Sequence, residues 1–349
     1  MKFSKNIWQL LAVACLATPV AFSSCSEDTM DEINKNVNDP SDVNAKFLLA
    51  EVITGTAFNN VGGDFNTYLS SYVEHEVGTH NQLWDAERRQ NQPSLSSTFN
   101  NPYNSLYVKL SNAKNAISKT SVGGAEEGEY TTLGIAQVMA AYNLALLTDM
   151  FGDVPYSEAM DINLTMTPKL DSQEELYKEI NRFLDEALVN LPKGDRFGIA
   201  NYDLLYNGNV DKWIKFANGL KARYTMRLLH VAADKNAALK AVVDYANKSF
   251  TSASEEAAFN VYNAQNLNPL FDFQWSRDGL AASRSLADKF IERNDPRLDR
   301  NFTTAKWDQV TGLKAGTPTY NLLAENGKND QVQYKYFFFL MIRRPPRST

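Results

Sequence analysis

The chain has 349 residues, 44% hydrophobic and 22% charged, which is enough apolar mass for a large folded core. Its net charge is −6, and Lys2, Lys5, Arg343, Arg344 and Arg347 at the two ends leave the body between them more acidic still, which excludes nucleic acid as a partner. Cys15 and Cys25 are the two cysteines, too few for a disulfide framework.

Residues 1–24 read as a secretory leader. Lys2 and Lys5 make a basic start, Ile7 to Val20 is an apolar run short for a bilayer, and Ser23 and Ser24 are small. Cys15 is lost with this segment, so the mature chain keeps Cys25 alone. A lone cysteine at the start of an exported chain is accounted for by acylation. Residues 25–40 form a polar, acidic tether, and residues 41–334 form the fold.

After Pro40, Ser41 or Asp42 is placed to cap a helix carrying Phe47, Leu48, Val52 and Ile53. A second helix is expected from about Asp64 to Thr79, with Tyr68, Leu69, Tyr72 and Val73 on its apolar side. It holds His75-Glu76-Val77-Gly78-Thr79-His80, one residue too long for the H-E-x-x-H zinc motif. Histidines five apart on a helix point about 140° away from each other. No metal site is expected, and no cofactor.

The polar loop from Asn81 to Ser97 contains Trp84, Asp85, Arg88 and Arg89. A tryptophan face stacks on the apolar side of a pyranose while amide and charged neighbours bond its hydroxyls, so Trp84, Asn81 and Arg88 are candidate ligand residues. The alternative is that Trp84 folds back to anchor the loop.

Phe99 to Ser118 has helical spacing at Tyr103, Leu106, Tyr107, Leu110, Ala113 and Ile117. Tyr130 to Thr148 is a helix rich in small residues (Gly134, Ala136, Ala140, Ala141, Ala145), which lets neighbours approach closely. Asp149 to Met160, DMFGDVPYSEAM, stops it. Gly152 suits a left-handed helix end and Pro155 cannot continue a helix, so a corner and a restart follow. Its acids, Asp149, Asp153 and Glu158, come with no obvious pair of nucleophile and base.

Asp171 to Leu191 is the clearest helix. It opens with a capping box, Asp171 with Glu174 or Ser172 with Glu175, and ends at Pro192 and Gly194. Asp211 to Val231 repeats the pattern with Trp213, Phe216, Ala217, Leu220 and Tyr224 on one stripe and Lys215, Lys221, Arg223 and Arg227 opposite. Trp213 is therefore a core residue. Lys235 to Asn247 is a shorter helix. From Ser249 to Leu280 periodicity lapses among Phe259, Tyr262, Phe271, Phe273 and Trp275. An aromatic, amide-rich irregular segment is a good place for a binding surface, and Trp275 is the fourth candidate.

The corner DMFGDVPYSEA resembles the signature of the SusD/RagB family of Bacteroidetes surface lipoproteins. Three further blocks resemble that family in the expected order: TPKLDSQEELYKEINRFLDEAL, YNGNVDKWIKFANGLKARYTMRL and NDPRLDRNF. The likeness runs from about Asn34 to about Asn301. It implies a mainly α fold, a tetratricopeptide-like scaffold of helix pairs with an irregular, loop-rich binding lobe. AFSSC resembles a relaxed lipobox with Cys25 as the lipidated residue, and Ser26-Glu27-Asp28 resembles a surface-export signal.

Residues 335–349 do not fit. YFFFLMIRRPPRST has no helical or strand period, and its end resembles translated sequencing adapter; the alternative is a cationic membrane-binding tail. SusD-like chains continue beyond this point, so the chain is expected to be truncated. The resemblance implies a non-enzymatic protein, anchored by lipid to the outer membrane and facing outward. It would bind an oligosaccharide, or a peptide, and pass it to a SusC-like TonB-dependent transporter. Two rivals remain: an exported glycan hydrolase, which needs two converging carboxylates, and a helical-repeat scaffold that binds only protein.

Overall fold

A computed structural model describes residues 43–78, 83, 85, 99–160, 164–277, 280–282, 284–297, 302–303 and 335–336. The chain divides into Met1–Val43 and Asn44–Thr349. The account below concerns the second unit. The leader, the tether and Cys25 lie outside the described residues.

Helix α1 is Ala45–Gly55, and a π-helical turn, Thr56–Val61, continues it. Ser41 and Asp42, the expected caps, lie outside the described residues. Asn44 is the N-cap and makes no side-chain cap bond. The Glu126 carboxylate, from the loop before the fourth helix, instead accepts the Ala45 N–H at 3.0 and 3.2 Å. A carboxylate there satisfies an orphan donor and suits the positive end of the helix dipole.

Helix α2 is Asp64–Tyr72, shorter than expected. Glu74 takes a positive φ of 58° and turns the chain. Glu76–Gly78 then forms strand β1, paired antiparallel with β2, Leu280–Ala282. The HEVGTH string is therefore not on a helix where the structure describes it. Helices α3 (Asn100–Thr120), α4 (Tyr130–Phe151), α5 (Gln173–Asn190), α6 (Val210–Arg227) and α7 (Lys235–Asn247) follow the predicted periods.

These helices stack in chain order. α3 packs between α1 and α4, α5 packs on α4, α6 packs on α5, and α7 packs on α6. The mainly α fold with paired helices is as predicted. Helix α4 is its centre and is buried on nearly every face. It is long and apolar enough to cross a membrane, yet 89% of its apolar stretch lies inside the fold. Gly134 is one reason α5 comes so close: a Cβ there would meet the Leu191 side chain at 2.7 Å and the Leu191 nitrogen at 3.0 Å. A buried polar cluster crosses this core at Asn143 on α4. Its Oδ1 accepts from Thr56 Oγ1 (3.1 Å) and Asn60 Nδ2 (3.2 Å), and its Nδ2 donates to the Met139 carbonyl. That network pins the π turn to the central helix.

The DMFGDVPYSEAM segment is a structural corner, and α5 is the next helix after it. Gly152 has φ 74°, open to glycine alone at little cost. Val154 and Asp171 exchange backbone hydrogen bonds. The Asp171 carboxylate then accepts the Tyr156 N–H (2.8 Å), the Ser157 N–H (2.6 Å) and the Ser157 hydroxyl (2.6 Å). Each acid of the signature has a structural partner. Asp149 accepts from Tyr177 Oη and pairs with Arg227; Asp153 accepts the Gln173 N–H; Glu158 accepts the Lys169 N–H. Of the two capping boxes open to the sequence, Ser172 with Glu175 forms.

Asp203 organises the next corner. It accepts N–H groups of Leu205, Tyr206 and Gly208, and its Oδ2 accepts the Trp213 indole N–H at 2.6 Å. Trp213 is 0% exposed, the core residue expected. Lys221 corrects the reading of the opposite face. It is 4% exposed, pairs with Asp185 on α5, and lies over the Tyr245 ring of α7 at 4.8 Å. Arg227 likewise reaches Asp149, so this basic face is a seam between helices. Helix α7 itself buries no residue, and Leu239 and Val243 are exposed on it.

Past α7, Pro269–Arg277 is a helix, α8, where an irregular segment was expected. Asn268 Oδ1 accepts the Leu270 and Phe271 N–H groups, and proline suits the first helical position. Helix α9 is Arg284–Glu292. Two short strands, β3 (Phe302–Thr303) and β4 (Lys335–Tyr336), pair antiparallel, so the first two residues of the expected tail pair with the chain.

Two buried carboxyl groups make opposite contributions across pH. For Asp171, burial alone would raise the pKa, but the hydrogen bonds from Ser157 and Tyr156 outweigh it and hold the group below its ordinary value. Its stabilisation is full above the ordinary aspartate range and fades as pH falls through the depressed value. Asp171→Ala leaves the buried Tyr156 N–H unpaired and is expected to cost about 3 kcal/mol in urea unfolding at neutral pH, with Asp171→Asn costing less. Glu76, buried on β1, is pushed up to about 7 by burial, against the Ser70 hydroxyl bond. Its contribution is full below the ordinary glutamate range and is lost as pH rises through about 7. Wild-type stability relative to Glu76→Gln is therefore expected to decline from about pH 5 to about pH 8. A parallel pair of curves would contradict this.

Candidate functional site

Of the four ligand candidates, Asn81, Trp84 and Arg88 lie outside the described residues. Trp275 lies on α8, which replaces the irregular setting expected for it. The local cue for that helix is Asn268-Pro269, an asparagine cap before a proline at the first helical position.

The aromatic residues of the irregular stretch before α8 do meet a concave surface. Phe259 and Tyr262 pack on Phe58 of the π turn, with ring centroids at 5.8 and 5.3 Å, and on each other at 5.3 Å. Phe58 is one wall of an open groove of about 410 Å³ between the π turn and the first turns of α2 and α3. Asn59, Asp64, Asn101, Asn104 and Ser105 line the rest, with Gly63. Asn101 Nδ2 donates to Asp64 Oδ2 at 3.1 Å. Asn59, Asn101 and Asn104 are exposed, whereas the Ser105 Oγ is shut off from solvent and has no hydrogen-bond partner. Asp64 is the one acid among the described lining residues.

A second depression, about 250 Å³, lies where the N-termini of α1 and α4 meet residues 196–198. Its charged groups are engaged in holding the chain. Glu126 caps α1, Glu129 accepts the Phe197 N–H at 3.2 Å, and Arg196 stacks on the Phe197 ring at 5.3 Å. Lys46 lies over the rings of Phe47 and Tyr202. Among the described residues no group of three or more His, Cys, Asp or Glu is placed to hold a metal.

The groove residues escape sequence reasoning because asparagine near a helix start reads as a cap or a loop residue. Asn59, Asp64 and Asn101 come from three elements that only tertiary packing brings together.

Comparison with known proteins fits this architecture. A SusD-like family, described as starch-binding and associating with the outer membrane, matches residues 37–336. A SusD/RagB family protein of Bacteroides thetaiotaomicron is 51% identical over 75% of this chain, with a TM-score of 0.72. This chain spans 55% of that protein's length. A chitin-binding SusD homologue from Flavobacterium johnsoniae shares the fold at 20% identity, covering 75% of this chain and 55% of its own, with a TM-score of 0.60. No curated protein matches. The match over residues 37–336, together with the 51% identity, places this chain in the SusD-like family.

Proposed function

We propose that this protein captures a nutrient glycan at the outer membrane and passes it to a SusC-like TonB-dependent transporter, without covalent chemistry of its own. The observation that carries the reading is the match of almost the whole described fold to a family described as starch-binding and outer-membrane-associated. The groove beside Phe58 is consistent with it, since amides and an aromatic wall are the chemistry of a sugar site. Trp84 and Trp275, with Asn81 and Arg88, are the proposed stacking and hydrogen-bonding residues. Cys25, acylated, is the proposed anchor, holding the protein on the outer face.

The anchor is tested by Cys25→Ser, which is expected to move the protein from sedimenting outer membranes into the soluble fraction. Persistence in salt-washed membranes would refute it.

Glycan capture is tested by comparing three tryptophans. By analogy with base stacking, an aromatic platform is worth about 1–3 kcal/mol. Trp84→Ala and Trp275→Ala are therefore expected to weaken oligosaccharide binding by roughly five- to a hundredfold while melting like wild type. Trp213→Ala removes a fully buried ring and the partner of Asp203, and is expected to lose about 3–5 kcal/mol of stability. Wild-type binding in both the Trp84 and the Trp275 variant would reject these residues. Release of new reducing ends from the glycan would replace the proposal with hydrolysis.

A further inference from the structure

We infer that the loops gathered around the start of α4 form a membrane-facing surface, in which Lys193 and Arg196 meet the phosphates of anionic lipid headgroups while Phe197 and Val122 enter the layer beneath them. The inference rests on the proposed anchor at Cys25, because the membrane in question is the one that anchor enters. Eighteen residues separate Cys25 from Asn44, where the chain joins α1. Fully extended they reach about 60 Å, so they keep this end of the fold within that distance of the bilayer. Asn44 lines the same depression as Arg196 and Phe197, so the tether arrives beside the two loops.

The surface is built from residues 121–129, before α4, and residues 192–198, after α5. Packing holds the two loops together. The Tyr130 N–H donates to the Gly194 carbonyl at 3.2 Å, the Phe197 N–H donates to Glu129, and Lys193 Nζ lies over the Tyr130 ring at 5.2 Å. Their charges are sorted by depth. Glu126, Glu127, Glu129 and Asp195 accept the backbone N–H groups of Ala45, Gly123, Phe197 and Thr132, and all four acids are buried or half-buried. Lys193 and Arg196 are exposed, and Arg196 keeps 62% of its side chain in solvent although its Nε lies 3.9 Å from Glu129. On a chain of net charge −6, two loops whose exposed charges are all positive are a local exception.

The apolar tips indicate what such a face meets. Phe197 is 81% exposed and Val122 is 83% exposed. A ring and an aliphatic tip beside cations suit the headgroup layer, where the apolar parts reach the acyl boundary and the charges stay at the phosphates. Arg196 lies over the Phe197 ring at 5.3 Å, so the pair enters as one unit. Phe47, also exposed, widens the face beside Lys46 and Tyr202. Each contact is weak, but the tether makes it intramolecular and so raises its effective concentration. The tether is itself acidic and adds no attraction of its own, which leaves the loops to supply it. The other end of α4 also exposes apolar residues, Leu164, Met166 and Leu170. That end lies about 33 Å away along the 22-residue helix, far from where the tether enters, and its Lys169 is paired with Glu158.

The test uses the mature chain carrying Cys25→Ser, so that no acyl group contributes, with vesicles of phosphatidylethanolamine and phosphatidylglycerol. This chain is expected to co-sediment with the vesicles at low salt and to be released as salt rises. Adding Lys193→Gln and Arg196→Gln is expected to lower the partition coefficient roughly thirtyfold, at about fivefold for each basic residue, with the melting temperature unchanged. Cys15 and Cys25 are the two cysteines of the sequence, so Phe197→Cys gives the mature Cys25→Ser chain a single labelling site. An environment-sensitive dye there should shift to the blue when vesicles are added, and the same dye at Met166→Cys should not. Absence of co-sedimentation overturns the surface and leaves the face to a protein partner. A dye at position 197 that stays in water while the chain is bound overturns it as well, and a shift at position 166 alone moves the contact to the other end of α4. The anchor is judged separately, by sedimentation of the acylated chain, so either reading can fail without the other.

Discussion

The fold depends on carboxylates that accept backbone N–H groups from distant parts of the chain. Asp171 ties the turn after α4 to the start of α5, Asp203 ties the turn before α6 to the Trp213 indole, and Glu126 caps α1 across 81 residues. Asp195 does the same for α4, accepting the Thr132 N–H and hydroxyl. Apolar stripes make helices stick together but do not decide where the chain turns. A carboxylate with several donors around it does, because an orphan N–H in a packed corner has no water to turn to. The acidity of the chain is thus partly architectural, and the acids of the DMFGDVPYSEA signature are partners in a corner.

With the corners set, α4 acts as the shared partner of the stack. Its small residues admit α3 on one side and α5 on the other, and Asn143 reaches out to fix the π turn. The groove beside Phe58 inherits its rigidity from that arrangement. Its walls come from α2, α3 and the π turn, and an irregular segment braces it with two rings. A surface formed in advance does not spend affinity on its own ordering when it binds.

The parts of this fold legible in the sequence were those with local causes. Stripes at helical spacing marked α3, α5 and α6, small residues marked α4, Gly152 and Pro155 marked the corner, and Asp171 with Glu174 or Ser172 with Glu175 marked a cap. What stayed hidden needed long-range partners. Nothing near Ala45 announces Glu126, and nothing in HEVGTH announces its pairing with Leu280–Ala282. Lys221 read as a surface cation because its partner Asp185 lies on another helix. Trp84, Asn81 and Arg88 were chosen by residue type and lie outside the described residues, while the groove's asparagines, on separate elements, carry no shared local pattern. Phe259 and Tyr262, named in the sequence only among the aromatics of an irregular segment, pack on Phe58 at the edge of the groove.

The bare outer face of α7 has a consequence for the order in which the stack comes apart. A helix array behaves as a row of coupled units, each held by its neighbours. Helix α4 has partners on all sides, but α7 buries no residue and leans chiefly on α6 through contacts that include the Lys221–Tyr245 one. Its backbone amides therefore open at the smallest free energy of the array. Opening α7 breaks no bond of the Asp171 corner or of the Asn143 network, whose partners all lie on other parts of the chain.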